Sequence, residues 1–183
     1  DEHKAAFLFG QKNDDGRKFN VRAPHLRIRT NADLEAALPF LVNAGIQNCG
    51  QTCSASSRIL VQRKLYEQLA EFMGARYAAL RVGRAVDDLD AGPLISAKQK
   101  GLVEGFLARG EGLEIAGQAQ LGDLPDGGYY VAPTLFSGVA PDHTLAQDEV
   151  FGPVQVIIPF DDEAEAVQIA NGTDYGLVAG LWT

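Results

Sequence analysis

Short apolar runs alternate along this chain with longer segments whose apolar residues recur at helical spacing. The runs have the usual length of buried strands, and we predict strands over residues 58–62, 113–116, 129–136, 154–160 and 177–182. Helical spacing predicts helices over residues 31–48, 65–73, 95–109 and 161–171. Strands that alternate with helices favour an α/β fold, with an open, mostly parallel sheet flanked by helices.

Glycine and proline mark the expected ends of these elements. Gly74 directly follows the helix predicted over residues 65–73 and is typical of the position at which a helix stops. Residues 83–93 are rich in Asp, Gly and Pro, which predicts a loop before the next helix.

The first thirty residues do not follow this alternating pattern. They carry a basic cluster, which has the charge to contact phosphate but is more typical of a solvated strand or linker. The cluster consists of Arg17, Lys18, Arg22, Arg27 and Arg29. We therefore divide the chain into a divergent N-terminal segment, residues 1–30, and a single domain, residues 31–183.

Charge and composition exclude several classes of protein. The formal net charge is −8, whereas nucleic-acid binding needs a basic face, so we expect no nucleic-acid partner. A hydrophobic share of 46% is typical of a folded globular domain. No apolar run approaches the roughly 18 residues of a membrane span, and residues 1–4 lack the apolar core of a signal peptide. We expect no membrane partner and a cytoplasmic location.

The two cysteines, Cys49 and Cys53, are expected to be thiols because a reducing compartment disfavours disulfides. A metal site would need further soft ligands, and the three histidines show no ligand spacing, so we predict no metal. Cys53 follows Gly50 and precedes a possible helical turn, whose N–H groups would favour the thiolate. Burial as a small hydrophobic side chain is the alternative for any lone cysteine, and it is the role we assign to Cys49.

The residues around Cys53 carry a specific resemblance. Residues 48–58 read N-C-G-Q-T-C-S-A-S-S-R, which resembles the N-x-G-Q-x-C-x-A-x-S/T-R segment of the aldehyde dehydrogenase family. Residues 149–154 read E-V-F-G-P-V and resemble the family's E-x-F-G-P-V motif, and residues 92–99 resemble its G-P-L-I-S loop. Several motifs in the family's order make chance an unsatisfactory explanation. The resemblance covers residues 32–183.

The resemblance implies an aldehyde dehydrogenase catalytic domain that oxidises an aldehyde to a carboxylate with NAD or NADP. Cys53 matches the nucleophile that forms a thiohemiacetal with the aldehyde carbon. Glu149 matches the residue that binds the hydroxyls of the nicotinamide ribose, and Phe151 matches the aromatic residue beside the nicotinamide. Gln99 matches a residue near the cofactor ribose. The resemblance also makes a homo-oligomer an expectation.

The family pattern is not complete in these 183 residues. Alignment on Pro24 puts Lys18 where the family has the glutamate that activates the hydrolytic water, and a lysine is protonated at neutral pH. We also expect no counterpart of the family's nucleotide-binding domain, so the resemblance implies a truncated catalytic domain. Two alternatives stay open: a catalytically silent structural or oligomerisation module, and a cysteine hydrolase that pairs Cys53 with His143.

The resemblance also predicts the location of the site. Open α/β sheets bind ligands at the carboxyl ends of their strands, so we expect Cys53 at that edge of the sheet. It should face the loop of Glu149 and Phe151 across an open cleft, although about a hundred residues separate the two segments.

Overall fold

A computed structural model describes residues 5–9 and 34–182 of the chain. Six strands and five helices are found in these residues. The strands are β1 (Ala5–Phe9), β2 (Arg58–Gln62), β3 (Glu114–Gln118), β4 (Thr134–Ser137), β5 (Val154–Phe160) and β6 (Val178–Trp182). The helices are α1 (Leu34–Ile46), α2 (Arg63–Ala78), α3 (Ala97–Arg109), α4 (Thr144–Gln147) and α5 (Glu163–Ala170). The basic cluster of the N-terminal segment, Lys18 included, lies outside the described residues.

The strands form one sheet in the order β3-β4-β5-β2-β1-β6. At its centre β4, β5 and β2 are parallel, while β1 runs antiparallel to both β2 and β6 and β3 runs antiparallel to β4. Four of the six strands therefore point in one direction, which confirms the expected α/β sheet with a parallel centre. The other three pairs of neighbouring strands are antiparallel: β3 with β4, β2 with β1 and β1 with β6.

Strand β5 shows why the central strands read as continuous apolar runs. Val154, Val156, Ile158 and Phe160 belong to the core beneath α3, α4 and α5, whereas Ile157 belongs to the core beneath α1 and α2. Because successive side chains point to opposite faces, a strand covered by helices on both sides is apolar along most of its length. The predicted bounds of β5 and β2 match the structure.

Helix α2 continues through Gly74 to Ala78, so the predicted stop at Gly74 is wrong. A Cβ at Gly74 would overlap the carbonyl of Ala116, and a Cβ at Gly117 would overlap the carbonyl of Gly74. This glycine permits close contact between α2 and β3 rather than a left-handed cap.

Strand β4 covers only the end of the predicted run 129–136 and extends one residue beyond it. Before it, the Tyr129 carbonyl accepts from Leu94 N–H and the Pro133 carbonyl accepts from Ala119 N–H, so these residues bond to neighbouring segments outside the named strands. Among the described residues no helix is long and apolar enough to cross a membrane.

Candidate active site

The Cys53 segment consists of residues 47–57, which lie between α1 and β2. Its first turn contains left-handed backbone. Asn48, Cys49 and Gly50 have φ values of 50°, 55° and 71° within a 3₁₀ turn, Gln47–Gly50. The side chain of Asn48 donates to the Gln51 carbonyl at 3.0 Å, and the side chain of Gln51 donates to the Asn48 carbonyl at 3.1 Å. These reciprocal bonds stabilise an otherwise uncommon backbone conformation.

Cys53 lies on a β-turn rather than at a helix start, which corrects the sequence-based expectation. Ala55 N–H donates to the Thr52 carbonyl at 2.9 Å, so Cys53 and Ser54 are the two central residues of the turn. The Cys53 side chain is exposed. No helix dipole therefore acts on the thiol from its own segment.

Cys49 is buried in the core beneath α3, in agreement with the packing role assigned from the sequence. Burial raises the pKa of the Cys49 thiol to about 11. At neutral pH this thiol is protonated, and only the thiolate is a strong nucleophile. The two cysteines thus differ in both accessibility and ionisation.

The second segment, residues 148–153, leads from α4 into β5. Phe151 is half-buried and takes a positive φ of 51°. Glu149 is also half-buried, its N–H donates to the Tyr175 hydroxyl at 3.3 Å, and desolvation raises the pKa of its carboxyl group. Both side chains remain partly accessible to a ligand.

Gln99 reaches this segment from the first turn of α3. Its side-chain amide donates to the Phe151 carbonyl at 2.9 Å, and Ser96 caps the helix by accepting from Gln99 N–H at 3.2 Å. Gln99 therefore holds the Phe151 backbone. Its expected place near a cofactor ribose stays a prediction.

The two segments meet through their backbones. A Cβ at Gly50 would overlap the Gly152 carbonyl, so only glycine fits there. A cavity of about 10 Å³ lies between the segments, and this is space for about one water. Residues from both segments line it, among them Thr52, Ala55, Glu149 and Phe151. The turn that carries Cys53 forms one wall, but Cys53 itself is exposed and is not among the residues that line the cavity.

This site lies at the amino ends of the parallel strands, so the expected carboxyl-end location is wrong. Residues 51–57 precede β2 and residues 148–153 precede β5, and β2 pairs parallel to β5 with Arg58 opposite Val156. The carboxyl-end rule describes loops that leave strands toward helices. Here both segments enter strands.

The histidine proposed for a cysteine hydrolase has another role in the structure. His143 is the N-cap of α4, and its Nδ1 accepts from Leu145 N–H at 3.1 Å. His143 does not line the cavity beside the Cys53 turn. Within residues 34–182 no group of three His, Cys, Asp or Glu side chains is arranged to hold a metal ion.

Two glutamines to which the sequence assigned no role hold the Cys53 segment in place. The side-chain oxygen of Gln51 accepts from Ile95 N–H at 2.9 Å, which joins the segment to the loop before α3. Gln155 is fully buried, and its amide contacts the carbonyl of Ser56. The available signal for Gln155 was a polar residue inside the apolar run of β5.

Comparison with known proteins gives consistent results. The family model "Aldehyde dehydrogenase family" matches residues 24–183. Betaine aldehyde dehydrogenase 2 of Rhizobium meliloti (strain 1021) is 39% identical over 157 residues, which are 84% of this chain and 32% of that protein. The chain thus spans about a third of the length of the curated relatives it matches.

Solved structures agree. A Burkholderia cenocepacia protein assigned to the aldehyde dehydrogenases is 54% identical, with a TM-score of 0.81 over 83% of this chain and 33% of that one. The NAD⁺ complex of aldehyde dehydrogenase from Bacillus cereus is 37% identical, with a TM-score of 0.77 over 84% of this chain and 31% of that one. With the family model covering most of its length, the chain belongs to the aldehyde dehydrogenase family.

Proposed function

We propose that this chain supplies the nucleophile and the nicotinamide end of an aldehyde dehydrogenase that oxidises an aldehyde to a carboxylate with NAD or NADP. The observation that carries the proposal is the contact between Gly50 and Gly152. It joins the Cys53 segment to the segment of Glu149 and Phe151, and nothing in the local sequence forces these distant segments together.

Cys53 is the nucleophile in this proposal. Its thiolate attacks the aldehyde carbon, a carbon–sulfur bond forms, and the carbonyl oxygen becomes an oxyanion that the Cys53 backbone N–H helps to stabilise. Bound NAD or NADP would supply the hydride acceptor that oxidation of that carbon requires. Attack by water on the acyl carbon would then break the carbon–sulfur bond, release the carboxylate and return the Cys53 thiolate. The exposure of Cys53 supports access by a small aldehyde.

Glu149 and Phe151 are the residues that would hold the nicotinamide end of the cofactor. A carboxylate offers two acceptor oxygens to a ribose diol, and an aromatic ring offers a flat apolar surface. The cavity between the two segments has space for about one water, so a nicotinamide would have to contact Glu149 and Phe151 on their solvent-accessible sides. Gln99 would contribute near the ribose and by holding the Phe151 carbonyl.

A cytoplasmic location and a homo-oligomer belong to the same proposal. Cys49 and Cys53 are both free thiols, which is typical of a reducing compartment. Ile115 is half exposed on β3, at one end of the described sheet, and such edges often pair with another chain. Light scattering across a concentration series tests the oligomer: a constant monomer mass contradicts it.

Acylation by p-nitrophenyl acetate tests the nucleophile without requiring a cofactor. We expect an acetyl group on the Cys53 peptide, detected by mass spectrometry and lost in Cys53→Ser. His143→Ala is the matched control, because a cysteine hydrolase using His143 would lose the reaction. An acetyl group on Cys49 instead would contradict the assignment.

The second candidate function is a catalytically silent module. Its support is the small cavity and the position of the Cys53 side chain outside the cavity lining. Complete absence of acylation in a folded chain would favour this candidate over the dehydrogenase.

A further inference from the structure

Gln155 lies fully buried on the face of β5 that packs against α1 and α2. Its side-chain nitrogen donates to the Leu41 carbonyl at 3.1 Å and to the carbonyl of Ser56. A Cβ at Gly45 would overlap the Gln155 amide, so this glycine provides the space that the amide occupies. One buried side chain therefore joins α1 to the residue that follows the Cys53 turn.

Tyr77 fixes the orientation of that amide. The tyrosine is fully buried in α2, and its hydroxyl donates to the Gln155 carbonyl oxygen at 2.5 Å. Burial raises the pKa of Tyr77, so the hydroxyl keeps its proton across the physiological range. Since the hydroxyl donates to the oxygen, both amide hydrogens are directed at the carbonyls of Leu41 and Ser56.

Ser56 is held on both sides of its peptide. Its N–H donates to the Ala44 carbonyl at 3.0 Å, while its carbonyl accepts from Gln155. Ala55, the preceding residue, closes the Cys53 turn through its bond to Thr52. The end of the turn is thus attached to α1 by one direct bond and by one bond that passes through Gln155.

We infer that Gln155, oriented by Tyr77, is a positioning residue that sets the location of the Cys53 turn against α1. The inference rests on the proposed function, in which Cys53 is the nucleophile. It goes beyond the satisfaction of buried polar groups, because it predicts an effect on the Cys53 thiol as well as on stability.

The test compares Gln155→Leu, Tyr77→Phe and the double variant with the unaltered chain. Leucine removes the amide and phenylalanine removes only the hydroxyl. Ser137→Ala is the matched control, since Ser137 is buried in β4 and its hydroxyl has no hydrogen-bond partner among the described residues. Two readouts are taken. One is amide hydrogen exchange at Ala55 and Ser56, and the other is the rate of Cys53 acetylation by p-nitrophenyl acetate divided by the rate of its labelling by iodoacetamide at the same pH.

We expect exchange at these two amides to be about tenfold faster in Gln155→Leu than in the unaltered chain. The other amides of α1 and β5 should exchange as slowly as they do in the unaltered chain. The acetylation-to-labelling ratio at Cys53 falls in Gln155→Leu and in Tyr77→Phe but not in Ser137→Ala. A displaced turn moves the Cys53 N–H, which helps to stabilise the oxyanion during acetylation and has no such role in alkylation. The double variant matches Gln155→Leu, because Tyr77 acts through the amide.

An unchanged acetylation-to-labelling ratio overturns the inference, whatever happens to amide exchange. If Gln155→Leu does not fold, Tyr77→Phe decides by the same two readouts. Failure of the proposed function is a separate result, visible as no acetyl transfer to Cys53 in the unaltered chain.

Discussion

At the scale of single residues, the two thiols lie four positions apart but in opposite environments. Cys53 is exposed on its turn, whereas Cys49 is 3% exposed and its pKa is raised to about 11. We expect iodoacetamide near neutral pH to label Cys53 at least about tenfold faster than Cys49. Peptide mass spectrometry over a time course measures both rates. Equal rates, or Cys49 labelled first, would contradict the assignment.

The buried Cys49 thiol also makes stability depend on alkaline pH. It keeps its proton to about 11 in the folded chain but loses it near its ordinary value of 9.0 when unfolded. Between these values the unfolded state binds fewer protons, so the free energy of unfolding falls as pH rises, by roughly 1.4 kcal/mol per pH unit from this group. Burial of Tyr77 acts in the same direction at higher pH. Urea unfolding between pH 9 and 11 should show that the free energy of unfolding falls less steeply with pH in Cys49→Ser than in the unaltered chain. Identical dependence on pH in the two proteins would rule the effect out.

At the scale of elements, the contact between α2 and β3 depends on the absence of a side chain at Gly74. Because a Cβ there would overlap the Ala116 carbonyl, we expect Gly74→Ala to lower the free energy of unfolding by about 1–3 kcal/mol. Gly105 in α3 is the control, since its added Cβ would meet nothing within 4 Å. Gly105→Ala should stabilise the chain by up to about 1 kcal/mol. Urea unfolding measures both changes, and a neutral Gly74→Ala would show that the contact opens freely.

The same glycine shows where sequence reasoning succeeds and where it stops. The bounds of β5 were predicted from a short, nearly continuous apolar run, which is typical of a strand covered on both faces. Gly74 gave the signal of a helix end, yet its role is set by the distant strand β3. Local patterns predict the bounds of an element when its own residues determine them. They fail when a contact with a distant segment determines those bounds.

The candidate site was also predicted only in part. The family resemblance predicted that the segments of Cys53 and Phe151 would meet, and their backbones are in contact at Gly50 and Gly152. It did not predict the amino-end edge of the sheet, because that depends on which strands the segments enter. Nor did it predict Gln155, whose partners Leu41 and Ser56 are more than ninety residues away in sequence.

At the scale of the whole molecule, the chain spans about a third of the length of its curated relatives. We therefore expect the 183-residue chain alone to show little or no oxidation of short aldehydes with NAD or NADP, although Cys53 still reacts with esters. Absorbance of the reduced cofactor measures the rate. Steady turnover near a typical enzyme's roughly 10 per second would contradict this expectation.

The contact between Gly50 and Gly152 also limits how the cleft can be redesigned. Since main chain meets main chain there, Gly50 cannot be exchanged without a clash, because any side chain added there would overlap the Gly152 carbonyl and disrupt the contact. Thr52 and Phe151, which border the contact, are the positions at which a protein engineer can alter the mouth of the cleft. In the proposed function, access to Cys53 is therefore adjustable at Thr52 and Phe151, while the backbone contact fixes the separation of the two segments.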